Sequence, residues 1–535
     1  MATDAKKLIR SFERLRGKRG VWEAHWQDIA DIVLPSRQFT NKLTPGEKRT
    51  RRIFDSTATK AVMRLASALH GNMINPSIQW FGLRPQRDDL NEIEAVRDWL
   101  DDARNRMLTL YSTTRFGFNT QSFEAFLDLV AFGTAVMIFH EFPDRIQFQT
   151  RPLSECFIDA DADDKVNIVH RFFEMQAEKV AGKFGIENLH TDVQEALNRG
   201  DDMLMMILHT VAPREHRDPS RLDGPNKRFE STYLDFDRQM IIRESGFDVF
   251  PYLVPRWSKA SGEVYGRSPT MLNLADIGMV NAMRKTNIIS AEQTVSPPWV
   301  VDAGGIEGPL RIAPNSIIYK RTGSTSPIEP LITGNRVDLG EAMLEKERNG
   351  IREGFFLDLI SLPLQDRMTT TEVLQRIQQQ QVVLSPIVAR IQEEWLGPMI
   401  SRTFDAMFNL GMLPPFPAEL AGETLVVDFV STMALSQKAS ESVNFERWIS
   451  GLTAMAAADP TIFDHVDTDE LAKYAAGTWF SVPGRLVRSD DEVAQIRQER
   501  REAAEAQAQL VAAREAAAAG KDATQAVAQA TEAGL

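Results

Sequence analysis

Residues 336–411 decide the fold: RVDLGEAMLEKERNGIREGFFLDLI (336–360), SLPLQDRM (361–368) and TTTEVLQRIQQQQVVLSPIVARIQEEWLGPMISRTFDAMFNLG (369–411). In the first run Leu344, Ile351 and Phe355 recur at spacings of seven and four, the stripe of an amphipathic helix over a mixed-charge face. Gly350 and Gly354 lie inside it. Each costs a helix interior about 1 kcal/mol against alanine, so two of them one turn apart mark either close approach by another helix or an early helix end. After the break, Thr369 and Glu372 make a capping box, in which the threonine side chain accepts a free backbone N–H and the glutamate reaches back to the cap. Leu374, Ile377, Gln381 and Leu384 mark one face of the helix that follows, and Ile391, Trp395, Phe404 and Phe408 carry it to Gly411, with kinks expected at Ser385-Pro386 and Gly397-Pro398. Forty-odd residues at the usual rise reach roughly 60 Å, more than one compact domain needs.

Working outward, 535 residues with 43% hydrophobic and 25% charged side chains describe a globular chain of three or four domains, or one elongated protomer of several parts. The single cysteine, Cys156, cannot make an internal disulfide and reads as a buried spectator. No run approaches the ~18 apolar residues of a membrane span, and Met-Ala-Thr-Asp-Ala-Lys-Lys at the start lacks an apolar signal core, so a cytoplasmic, non-membrane protein is expected. The net charge of −13 is uneven: residues 1–64 carry fifteen Lys/Arg against seven Asp/Glu, a surplus of +8 that leaves −21 for the rest. Tight sequence-independent DNA binding is built from many Lys/Arg–phosphate contacts, which an acidic bulk does not offer. An acidic surface that repels DNA suits a conduit better than a repressor.

Towards the amino terminus, Leu8, Phe12 and Leu15, then Trp22, Trp26, Ile29 and Val33, predict two helices joined near Gly17–Gly20 and closed by Pro35. Lys48-Arg49-Thr50-Arg51-Arg52 reads as a solvated basic loop, with contact to a nucleic acid or an acidic partner as the alternative. Asp55-Ser-Thr57 offers N-caps for a helix carrying Val62, Leu65, Leu69 and Met73. Residues 91–140 read as two or three helices with Phe116, Phe118, Phe123, Phe126, Phe132 and Phe139 in a core. Strand patterns over Arg145–Phe173, Met203–Val211, Ser231–Phe236 and Met240–Ile242 make residues 80–260 an α+β lobe. Asp159–Asp164 has Asp164 and His170 where a calcium loop needs glycine and glutamate, so it reads as an acidic turn.

Ser268-Pro269 starts a helix expected to run to about Gln293, with Leu272, Met279 and Met283 on one face. Six prolines and five glycines between Pro297 and Asn335 surround short apolar runs, a small β-rich module between two helices that leave and return. Trp299 and Tyr319 are its candidate contact anchors or its packing. Beyond Gly411 come a strand candidate at Leu425–Val430, helices around Phe445–Met455 and Leu471–Tyr474, and a second capping box at Ser489 and Glu492. The Ala-rich helix it opens, running to Gly520, buries too little to stand without like neighbours.

Catalytic patterns are missing. There is no Gly-x-x-x-x-Gly-Lys-Ser/Thr loop, no Gly-x-Gly-x-x-Gly after a strand and no zinc spacing of Cys and His, so no cofactor or metal is expected. Adjacent acids such as Asp163-Asp164 and Asp490-Asp491 read as solvated turns.

With these residues in hand, the chain resembles the portal proteins, the head-to-tail connectors of short-tailed, podovirus-type bacteriophages, over nearly its whole length. The resemblance is carried by WEAHWQDIADIVLP (22–35), FDSTATKAVMRLASALHG (54–71), Trp80-Phe81, Tyr265-Gly-Arg-Ser-Pro269, Pro297-Pro298, Arg367-Met-Thr-Thr-Thr-Glu-Val373, Val482-Pro483 and Arg488–Val493. It implies a mainly helical α+β protomer with a wing (1–266), a stem helix (267–296), a clip (297–335), a second stem helix (336–357), a tunnel loop (358–368), a long kinked helix returning to the wing (369–435), crown helices (436–520) and a flexible tail (521–535). Leu272, Met279, Met283, Leu344, Gly350, Ile351, Gly354 and Phe355 would pack the stem, Trp299 and Tyr319 would make clip contacts, and Leu362, Pro363, Leu364, Gln365, Asp366 and Arg367 would face the channel. The implied assembly is a ring of twelve at one capsid vertex of the virion, formed in the host cytoplasm, through which double-stranded DNA passes without sequence readout. Its implied partners are terminase, a tail adaptor, major capsid and scaffold proteins, and internal core proteins. A scaffold or internal virion protein would share the acidic, helical, Ala-rich composition without closing into a ring. A DNA-processing enzyme would need the phosphate loop or a convergent acidic cluster.

Overall fold

The computed structural model describes residues 4–295, with short breaks at 42–43, 45, 76–78, 88, 91–92 and 222, then 299–300, 329–330, 337–360, 382–420, 422, 425–429, 448–453, 455, 466, 469, 471, 488 and 492–510. In chain order these form α1 (Ala5–Ile32), α2 (Thr57–Met73), β1 (Phe81–Pro85), α3 (Glu94–Ser112), α4 (Phe118–Phe132), β2 (Val136–Phe142), β3 (Arg145–Arg151), β4 (Cys156–Ala160) and β5 (Val166–Gln176). There follow α5 (Ala177–Phe184), α6 (Thr191–Arg199), β6 (Leu204–Pro213), β7 (Phe229–Asp235), β8 (Met240–Phe247), β9 (Tyr252–Leu253), α7 (Pro269–Leu272) and α8 (Leu274–Val295). β10 (Trp299–Val300), β11 (Glu329–Pro330), α9 (Val337–Gly354), α10 (Leu357–Ile360), α11 (382–391), α12 (Gly397–Asn409) and β12 (Leu425–Phe429) come next, and further helix lies at 448–453 and 492–510. The mixture of helix and sheet is the α+β class expected.

Two compact units divide the chain. The first holds Met1–Gly82, Arg104–Pro414 and Val427–Met433. Its centre is a five-stranded antiparallel sheet in the order β4-β5-β6-β7-β8, beside a three-stranded sheet in the order β3-β2-β9. Alternation along the strands splits the large sheet's side chains between two layers. One face takes Phe157, Leu208 and Leu234, on which Ile9, Phe12 and Leu15 of α1 pack. The other takes Phe173, Met205, Ile207 and Ile242, covered by Val180 and Phe184 of α5 and Val193 of α6. Each such side chain contributes about 1.5–3 kcal/mol on full burial. The second unit holds Leu83–Ala103, Pro415–Val426 and Ala434–Leu535. There Trp99 meets Phe416 edge-on at 4.9 Å, and a helix over 492–510 is exposed along almost its whole length.

Several expectations need correction. The two amino-terminal helices are one, because Arg19, in the middle of the expected break, holds the chain helical from outside. Its guanidinium is 1% exposed, donates to the carbonyl oxygens of Cys156 (2.6 Å), Ser154 (2.7 Å) and Leu153 (3.0 Å), and lies 3.9 Å from the Phe157 ring centroid. That tertiary anchorage outweighs the roughly 1 kcal/mol that each of Gly17 and Gly20 costs a helix. Phe118, Phe126, Phe132 and Phe139 are core, Phe139 from strand β2, while Phe116 and Phe123 are half-buried. The helix from Ser268 breaks at Asn273 before restarting as α8. In the long kinked helix, Phe404 and Phe408 are nine and thirteen residues beyond Trp395, which at 100° per residue is the far side. Met399, Ile400, Ala406 and Met407 are buried instead, and Phe408 is exposed. The kink at Gly397-Pro398 takes a definite form. Pro398 has no N–H for the Glu394 carbonyl, and the ladder slips into a π-helical turn, Gln392–Leu396, with Gly397 N–H reaching back to Gln392. Thr369, Glu372, Leu374, Ile377 and Gln381 lie outside the described residues. Of Asp159–Asp164, Asp159 and Ala160 end β4 and the turn begins at Asp161, which accepts from the N–H groups of Asp163 and Lys165.

The lobe carries a built-in acid sensitivity. His170, in the layer under α1, sits between Ser11 Oγ (3.1 Å) and Thr210 Oγ1 (2.8 Å). Burial, helped by the Arg14 charge, pushes its pKa down to about 4. The folded state holds it neutral while the unfolded chain protonates near 6.5, so its stabilisation is fully present above pH 6.5 and lost as pH falls towards 4, a change of order 3 kcal/mol. Thermal melts between pH 7.5 and 4.5 should show this slope, and His170→Gln should flatten it by about one proton.

Candidate assembly surface on the α8–α9 helix pair

The Tyr265–Pro269 segment fixes where the helix pair leaves the lobe. Tyr265 packs on Trp22 and Trp26, and its hydroxyl accepts from Ile158 N–H at 3.2 Å. Gly133 and Gly266 pass so closely that a Cβ on either would collide with the other's backbone. Ser268 Oγ donates to Ala131 O at 2.8 Å and accepts from Met271 N–H at 2.9 Å, capping α7. Thr270 Oγ1 donates to Val130 O at 2.8 Å.

From there α8 and α9 pack against each other. Asn273 and Asn287 each fill the space where Gly354 and Gly340, respectively, lack a Cβ, and Asn273 Nδ2 donates to Gly354 O at 3.3 Å. Arg284 pairs with Glu341 at 3.1 Å. Ile277 and Val280, buried, share this face of α8; Leu344, Ile351 and Phe355, also buried, line the inner face of α9. A second face of α8 holds the basic loop: Asn281 Oδ1 accepts from the N–H groups of Phe54 (2.7 Å) and Asp55 (3.1 Å), while its Nδ2 donates to Arg52 O at 2.9 Å. Asp55 caps α2 through Thr57 N–H and takes two hydrogen bonds from Arg348 of α9 at 2.7 and 3.0 Å. Burial opposes charge on Asp55, but Thr57 and Arg348 hold its carboxyl below the usual value.

The third face of each helix is open and carries apolar side chains beside Asp276 on α8 and Lys346 on α9, both exposed. On α8 and its approach, Leu272 is 74% and Met279 43% exposed, with Met283 half-buried. On α9, Leu339 is 51% and Met343 54% exposed, and Gly350 has open space above it. Of the stem residues read from sequence, Leu344, Ile351, Phe355 and Gly354 therefore meet inside the protomer, whereas Leu272, Met279 and Gly350 point away. Sequence reading missed Asn273, Asn281 and Asn287; polar side chains facing glycines, or, as Asn281 does, a loop's backbone, leave no hydrophobic period to find. Trp299 is described by its backbone alone, in the β10–β11 pair, where it opposes Pro330. Tyr319 and Leu362–Arg367 lie outside the described residues. Asp358 belongs to α10. Among the described residues, no group of three or more His, Cys, Asp or Glu could hold a metal, and no helix is long and apolar enough to cross a membrane.

The family model for the bacteriophage head to tail connecting protein matches residues 5–487. The chain belongs to that family. It is 30% identical over 511 residues to the probable portal protein of Bordetella phage BPP-1, covering 93% of this chain and 91% of the relative. It is 27% identical over 533 residues to the portal protein of Salmonella phage epsilon15, covering 97% and 95%. In this head-to-tail connector the lobe, the Tyr265–Pro269 junction and the α8–α9 pair all fall within the matched span.

Proposed function

We propose that this connector closes into a ring of twelve copies at one capsid vertex, whose lumen passes double-stranded DNA during packaging, retention and ejection. One observation carries the reading: α8 and α9, with two faces satisfied inside the protomer, keep a third that is uncovered and presents the exposed apolar side chains Leu272, Met279, Leu339 and Met343. A head-to-tail contact through such faces must close into a ring or grow without end, and closure is the common outcome. Membership of the connector family supports capsid and tail proteins as neighbours, with terminase, a tail adaptor, scaffold and internal core proteins as the partners expected of that position. In this reading α8 and α9 are the stem, residues 297–335 the clip, 361–368 the channel loop, and the exposed 492–510 helix one stave of a crown that like helices complete. The role is structural, and ATP hydrolysis for packaging belongs to a separate partner docked on the clip. Native mass spectrometry of the purified protein at micromolar concentration should find a closed ring of twelve; monomers and dimers alone would sink the proposal.

The channel loop gives a second expected outcome. Leu362 and Leu364 would present a low-charge ring to DNA while Asp366 and Arg367 pair or meet phosphates. Since DNA carries one charge per about 1.7 Å of axis, a weakly attractive ring can slow a duplex without trapping it. Replacing residues 361–366 by a Gly/Ser linker should leave rings intact and lower the genome content of assembled particles. Failure of the rings to form would make the leucines a structural plug, and normal genome content would remove the gate.

A further inference from the structure

The layer between the two sheets of the lobe is cationic. Register places Cys156, Arg171, His209, Tyr233 and Arg243 in one row across all five strands of the large sheet, on a single face. In the small sheet Arg151 opposes Val136, while Gln149 and Tyr252 both oppose Ile138, so Arg151, Gln149, Tyr252 and His140 share one face. These two faces meet where Tyr252 OH lies 3.2 Å from His209 Nδ1. Lys183 of α5 closes a third side with its Nζ 4.9 Å from the Tyr233 ring centroid. Stacked sheets ordinarily join through apolar side chains. Here three permanent cations, Arg151, Arg171 and Lys183, lie on these faces with one carboxylate beside them, Glu155, which pairs with Arg171 at 2.8 Å, while Arg243 stands three strands from Arg171 at the far end of the row. Arg151 Nη2 donates to Gln149 Oε1, and the Arg171 guanidinium lies 3.9 Å from the Phe173 ring centroid. Among the described residues no carboxylate pairs with Arg151, Lys183 or Arg243. Arg151 Nε is buried without a hydrogen-bond partner. Burial and then the neighbouring cations depress both Arg151 and Lys183, and His140 is pushed down to about 3, so the histidines add no charge at neutral pH.

We propose that this cationic cluster binds a phosphate group, gripped by the guanidinium groups of Arg151 and Arg171 and closed by the Lys183 ammonium. Three cations less one carboxylate leave two positive charges, which a phosphate dianion offsets. Planar guanidinium forks also match phosphate oxygens in pairs. Lys183 is exposed at the solvent side of the cluster, and His209, Tyr252 and Cys156 are buried beneath it. The phosphate comes either free from solution or from the end of a nucleic-acid strand.

The test is calorimetric titration of the full-length protein with inorganic phosphate at pH 7.5, chloride holding ionic strength constant. Saturable binding is expected, weakened at least tenfold by Arg151→Gln and by Lys183→Gln; the second variant sits at the exposed solvent side and keeps the fold. A parallel arm uses one oligonucleotide with and without a 5′-phosphate. Preference for the phosphorylated strand over inorganic phosphate makes a nucleic-acid end the source, and no such preference makes it the free ion. Absence of saturable binding in both arms, or binding unchanged in both variants, overturns the proposal. The site belongs to the lobe alone and does not depend on ring closure.

Discussion

Met343→Glu should give a folded protomer that no longer closes into rings. Met343 is 54% exposed on the outer face of α9, one turn from Leu339. A charge there meets water in the isolated chain, and surface changes of this kind usually stay within about 0.5 kcal/mol. In a ring the same position would be pressed against the apolar side chains of a neighbouring copy, where an unpaired carboxylate costs several kcal/mol at every interface. Repetition around a closed ring makes the effect all-or-none. Native mass spectrometry should move from ring to monomer while circular dichroism is unchanged, and Met343→Leu should keep the ring. Rings of the glutamate variant would take the outer face of α9 out of the interface.

Glu394→Ala should be the most destabilising single change within the protomer itself. Glu394, in the π-helical turn, accepts from Arg256 Nη2 at 2.7 Å, from Arg256 Nε at 3.2 Å and from the Arg256 backbone N–H at 2.8 Å. The Arg256 side chain is 5% exposed, and its remaining bonds go to the carbonyl oxygens of Asp164 and Val264. Removing the carboxylate strands a buried guanidinium, which typically costs about 3–5 kcal/mol, whereas replacing both partners by apolar groups costs much less. Melting of the unassembled protein should therefore fall sharply for Glu394→Ala and recover in large part for Arg256→Met with Glu394→Leu. A double variant as unstable as the single one would place the loss in the packing of the turn.

How much of this was legible from sequence depends on whether the signal was local. The strands of the five-stranded sheet were, since alternation and turn residues announce them, and so was the Ser268 cap, which needs only its own N–H neighbours; β2 was not, because Val136–Phe139 is buried on both faces and reads as the end of a helix. Family motifs such as Tyr265–Pro269 could be read as strings, but their work as a junction rests on Trp22, Trp26, Gly133 and Ile158, none of them adjacent in sequence. The continuity of α1 was hidden because Arg19, a charged residue between two glycines, looks like the middle of a loop until the carbonyls of Leu153, Ser154 and Cys156 are placed around it. The faces of α8 were hard to separate because apolar residues lie on all of them. Periodicity chose Met279, and the protomer buries Ile277 and Val280.

The two asparagine–glycine contacts of the helix pair have a mechanical meaning. Fourteen residues separate Asn273 from Asn287, and fourteen separate Gly340 from Gly354, so the contacts stand roughly 21 Å apart along the rods. Each is a peg in a notch: sliding either rod by one turn, about 5.4 Å, would drive an asparagine into a side chain where a glycine had been. A hairpin pegged at two separated points resists both slip and roll. Load applied at its far end is delivered to the base at Tyr265–Pro269 as through a stiff strut, and the joint at Asn273, where α7 ends and α8 begins, is where such a strut would flex.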